Sequence, residues 1–151
     1  MSKYGISVFD ETMHTTNVWL KDLMFRLNSD SRQDVYRALK LTLHALRDRL
    51  PVNTAAAFAS QLPMLIRGFY YEGWQPAKCP TREHTDTEFV DELAKAFDFL
   101  EDDYTPKWIA GAVFDLLTEK ISKGEIDNVK SCLPRHIRQL WPPDSLYSKQ
   151  N

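Results

Sequence analysis

The chain has 151 residues, of which 43% are hydrophobic, 12% aromatic and 26% charged, enough for one domain with its own buried core. The composition excludes collagen, low-complexity disorder and a disulfide scaffold, and no apolar run approaches the ~20 residues of a membrane-spanning helix. The formal net charge of −2 is unevenly spread: residues 1–77 hold nine Lys/Arg and seven Asp/Glu, residues 78–151 ten and fourteen. From Glu83 to Asp103 nine carboxylates face a single Lys95, a segment that reads as a solvated acidic face. Met1–Asp10 has no apolar run behind basic residues, so no secretory leader is expected. Cys79 and Cys132 stand far apart in no metal or redox spacing, and the reducing cytoplasm is the expected compartment.

Helical periodicity runs through the chain. Phe9, Met13, Leu20, Leu23 and Leu27 form an apolar stripe, with Asp10 as a candidate N-cap and Asn28–Ser31 as a polar stop. Val35, Leu39, Leu43, Leu46 and Leu50 form a second stripe that ends at Pro51. Asn53 or Thr54 can cap a third helix over Ala55–Leu62, and Pro63 opens a fourth toward Tyr70. Strand alternation and Asn-Gly or Asp-Gly hairpin turns are missing from the sequence.

The second half echoes the first. A shift of 71 residues lays Leu43 on Phe114, Leu46 on Leu117 and Leu50 on Ile121. It also lays Phe58 on Val129, Leu62-Pro63 on Leu133-Pro134, Ile66 on Ile137 and Asp48-Arg49 on Glu119-Lys120. Agreement in helical phase, internal proline and charge order under one offset predicts a duplicated unit. The expected architecture is all-α: one helical bundle over residues 1–151, built from two tandem pseudo-repeats of about four helical segments each. Repeat one spans about 9–76, a linker 77–85, repeat two about 86–143, and residues 144–151 form a frayed tail.

Some motifs are distinctive together: Trp19-Leu20, Tyr36-Arg37-Ala38-Leu39, Leu43-His44-Ala45-Leu46-Arg47-Asp48-Arg49-Leu50-Pro51, Gln61-Leu62-Pro63 and Ile66-Arg67-Gly68-Phe69-Tyr70-Tyr71-Glu72-Gly73-Trp74. In them the chain resembles the bacterial "domain of unknown function 2267" family, over nearly its whole length and most strongly from Tyr36 to Trp74. The resemblance implies a small, helical, two-repeat bacterial protein. It brings no activity, cofactor or catalytic residue with it.

The residues themselves carry no recognised catalytic motif. A Gly-rich phosphate loop, His-Glu-x-x-His and Gly-x-Ser-x-Gly are all missing, and the five glycines are scattered. Neither a cofactor nor a metal is assigned: His84 lies near Cys79, Glu83, Asp86 and Glu88, but no donor pair has structural-zinc spacing. No catalytic residue is named either. Cys79 lacks an activating partner, Cys132 reads as structural, and His14 and His136 read as surface residues.

Two patterns are candidates for binding. Arg37, Lys40, His44 and Arg47, spaced three, four and three apart, fall within an arc of about 80° on one helix face. They are expected to be exposed together as a partner or anion face, with the net charge and the acidic segment arguing against nucleic acid. Tyr71 and Trp74 are candidates for an aromatic interface. Arg49 points toward the apolar arc and reads as a structural tie at the helix end, an order that Glu119-Lys120 repeats. The functional expectation is a non-enzymatic protein-interaction or regulatory module with a protein partner of unknown identity. A small-ligand binder or enzyme with a site between the repeats is the alternative.

Overall fold

The computed structural model describes residues 2–98 and 104–143. Among these residues it contains eight α-helices and no strand: α1 (Ser7–Leu27), α2 (Arg32–Asp48), α3 (Val52–Ala59), α4 (Met64–Tyr71), α5 (Glu88–Ala96), α6 (Pro106–Lys120), α7 (Lys123–Ser131) and α8 (Arg135–Arg138), with a short 3-10 turn at Pro76–Lys78. The all-α expectation holds. None of these helices is long and apolar enough to cross a membrane. The expected tail at residues 144–151, and Glu101, Asp102 and Asp103 of the acidic run, lie outside the described residues.

Helix boundaries follow local chemistry. Asn28 ends α1 in the left-handed conformation, where its backbone N–H caps the last turn. Ser31 caps α2 by accepting from the Asp34 N–H. Thr105 and Ser122 cap α6 and α7 in the same way. Pro51, Pro63 and Pro134 stand immediately before α3, α4 and α8. Asp10, expected as an N-cap, instead lies inside the first turn of α1, where its carboxylate accepts from the Tyr4 N–H at 2.8 Å. The third helix starts at Val52 and stops at Ala59, earlier at both ends than its alanine-rich stretch suggests.

α6 is the centre of the bundle. Every residue from Ile109 to Leu117 is buried, as expected for a helix that is apolar on nearly all sides. α1 packs on α2, α4 and α6, α5 on α2 and α6, and α3 on α7. Buried residues from both halves join in one cluster, with Trp141 stacked on Phe114 at 3.8 Å between ring centres.

Two ion-pair networks are set in this core. Arg26 of α1 donates to Asp115 of α6 at 2.9 Å and to Glu119 at 3.3 Å. Lys120 closes the same network on Asp22 at 2.6 Å. Burial works against the Lys120 charge, but hydrogen bonds to Asp22 and Glu119 outweigh it and hold its pKa above the ordinary lysine value. On the other side Arg49 bonds the Ala45 carbonyl, Glu83 and Glu92, and its guanidinium lies over the Phe89 ring. Arg49 is therefore the structural tie expected of it. Glu83, by contrast, is not part of a solvated acidic face, because its side chain is buried between Arg49 and His136.

Candidate functional site

The four basic residues of α2 do not share one exposure. Arg47 is buried, which corrects the expectation that all four face solvent together. Its guanidinium donates to the Tyr70 carbonyl at 2.6 Å, the Glu72 carbonyl at 2.8 Å and the Asp48 carboxylate at 2.9 Å. His44 is half-buried, and its Nε2 lies 2.6 Å from the Phe69 carbonyl; a carbonyl only accepts, so Nε2 carries the proton. Burial lowers the His44 pKa below the ordinary histidine value, and the ring is neutral near pH 7. Together the two side chains cap the C-terminal carbonyls of α4, where positive charge and donors are needed. Arg37 and Lys40 remain half-exposed, with the Lys40 ammonium over the Tyr36 ring at 5.4 Å.

Tyr71 and Trp74 lie 5.3 Å apart, ring centre to ring centre, and both are half-buried against the core. Cys79 follows them. Burial and the neighbouring Asp48 push its thiol pKa up, the opposite of what a nucleophile requires. Among the described residues no group of three or more His, Cys, Asp and Glu side chains is placed to hold a metal.

An apolar recess lies elsewhere, between the N-terminal half of α1 and α4. This groove, about 780 Å³, has one wall from Phe9, Thr12, Met13 and Thr16 of α1 and another from Met64, Leu65 and Gly68 of α4. Tyr36 and Phe69 close it at the end facing α2, meeting edge to face at 5.3 Å. Among the described residues Glu72 is its only charged lining residue. The walls are held together where the Leu65 N–H donates to the Thr12 hydroxyl at 2.9 Å. The Thr16 hydroxyl is buried beside the groove without a hydrogen-bond partner. Tyr4, Phe9, Met64 and Leu65 keep much of their surface in water.

A second recess, polar and about 510 Å³, lies where the segment after Pro80 meets α8. His136 contacts Glu83 at 3.3 Å and lies 3.7 Å from Asp86, with His84 and Arg135 beside it. His136, expected at the surface, is half-buried in this cluster.

A family model described as "Uncharacterized conserved protein (DUF2267)" matches residues 16–140. The chain belongs to this family. No curated protein matches it. The DUF2267 match takes in both ion-pair networks, the Arg47 cap and the whole α4 wall of the groove. Tyr4, Phe9, Thr12 and Met13 precede the matched stretch.

The groove was missed in the sequence, although two signals pointed to it. Gly68 interrupts α4 at a helix-interior position where alanine is favoured, and a Cβ there would meet nothing within 4 Å. Met64 and Leu65 are large apolar residues off the buried face of Ile66, Phe69 and Tyr70.

Proposed function

We propose that this chain is a non-enzymatic protein-interaction module of the bacterial cytoplasm, docking its partner in the groove between α1 and α4. The carrying observation is the groove itself: apolar, open, and bordered by large apolar side chains in water. Contiguous exposed apolar surface of this kind marks an interaction site more often than ordinary surface. Two roughly neighbouring helices with a gap between them suit the insertion of apolar side chains from a partner. Arg47 and His44 contribute indirectly, by fixing the end of α4 that carries one wall. In this reading the basic face is reduced to Arg37 and Lys40, and Tyr71 and Trp74 pack on each other at the end of α4.

We also propose that the bundle consists of two tandem copies, a single domain overall. In support, α3 and α7 start 71 residues apart, as do α4 and α8, each of the latter after a Leu-Pro pair. The ion pairs are reciprocal too: Arg49, just beyond α2, reaches Glu92 on α5, and Lys120, at the end of α6, reaches Asp22 on α1.

A second reading rests on the polar recess of Glu83, His84 and His136, which lies between the linker and the second proposed copy and suits a small polar ligand. Site-specific photo-crosslinking in the native host separates the two. With the cross-linker at position 65 we expect protein adducts, and with it at position 135 none. No adduct from the groove would end the interaction reading.

A further inference from the structure

Resting on that docking reading, we propose that the groove is covered by the same face of a second copy of this chain, the two related by a twofold axis. The patch carries both halves of such a contact. Tyr4, Phe9, Met64 and Leu65 stand 39–47% exposed on the walls, with the exposed Ile6 and Val8 beside Phe9 in the chain, and a recess lies between the walls. A twofold interface is self-complementary and needs protrusion and recess on one surface. Gly68 supplies the depth: with no atom within 4 Å of its Cβ position, a partner side chain can reach the α4 backbone.

Area supports the same occupant. At roughly 200 Å² per large apolar side chain, these six leave on the order of 500 Å² in water. A twofold contact hides that surface on both copies, about 1,000 Å² in all, which meets the minimum for a specific contact and suits a weak, concentration-dependent dimer. Charge agrees as well. A basic or acidic peptide would call for opposite charge on the rim, whereas the lining offers Glu72 alone.

The test is sedimentation velocity on the full chain from about 1 to 300 µM, a range that brackets a micromolar Kd. It is paired with NMR of ¹³C-labelled methionine methyls. We expect the mass to rise from 17.6 kDa toward twice that value. The Met13 and Met64 methyls should move with concentration, while Met24 stays still. Leu65→Glu and, separately, Phe9→Ser should weaken association at least tenfold with unchanged helicity. A chain that stays monomeric throughout overturns the proposal. So does a dimer in which Met13 and Met64 do not move, or one that both variants leave intact. A monomer whose position 65 still cross-links a different protein in cells loses the second copy and keeps the docking reading; a monomer with no adduct loses both.

Discussion

At the end of α2 the Arg47 guanidinium meets the Tyr70 carbonyl of α4 and the Glu72 carbonyl just beyond it, and three residues earlier the His44 ring meets the Phe69 carbonyl. Removing Arg47 leaves buried carbonyls without donors, so Arg47→Ala should destabilise the fold by about 2–3 kcal/mol in chemical denaturation. His44 gives a pH signature. Its pKa is lowered from 6.5 on folding, so below that value the unfolded chain binds more protons than the folded one. Its share of stability is complete above about pH 7 and falls away as pH drops through 6.5 toward the lowered value. Urea midpoints from pH 7.5 to 5.5 should fall less steeply in His44→Gln, whose amide can still donate to Phe69. Identical slopes would show that His44 charges freely in the folded state. Arg26 behaves differently, because its partners are carboxylates. Asp115→Ala removes the nearer of the two carboxylates on the buried Arg26 guanidinium, leaving Glu119, and should cost about 2–3 kcal/mol, while the double change of Arg26 and Asp115 to leucine should recover much of it.

At the scale of helices, α1 is 21 residues long and α4 eight, and the difference matters. The stripe Phe9, Met13, Leu20, Leu23 and Leu27 was legible as one helix face, and α1 forms along it. Periodicity could not say which part of that face is covered: Leu20, Leu23 and Leu27 are buried, whereas Phe9 is exposed and Met13 half-exposed. Coverage depends on which other helices reach it, a tertiary property. The same limit explains Arg47. Spacing put it on one face with Arg37 and Lys40, but nothing local revealed that the end of α4 would lie against His44 and Arg47. Arg49, pointing into the apolar arc, was legible because its direction conflicted with its charge. Asp115 carried a similar signal, a carboxylate inside the apolar run of α6. For α4, Gly68→Ala should raise stability by about 0.5–1 kcal/mol in thermal melts, since the position is helical and a methyl meets no neighbour. A loss of stability would mean that the α4 wall is closer to its surroundings than the open groove implies.

For the whole molecule, the interior and the groove divide the work. The buried cluster and its two ion-pair networks fix how the helices sit; the floor of the groove shares Leu20 and Phe69 with that cluster, while Tyr4, Phe9, Met64 and Leu65 on its walls stand largely in water. Variants of the exposed wall residues Phe9 and Leu65 should therefore change association and leave stability alone, whereas variants in the networks should do the reverse. The most direct measurement is the native size of the protein in extracts of its own host, read by size exclusion with the wild-type chain and Leu65→Glu side by side. The wild type should run well above 17.6 kDa, and Leu65→Glu, melting at the same temperature, should fall back to the monomer position. Co-elution of the two at one size would contradict the groove as the place where this protein meets its partner.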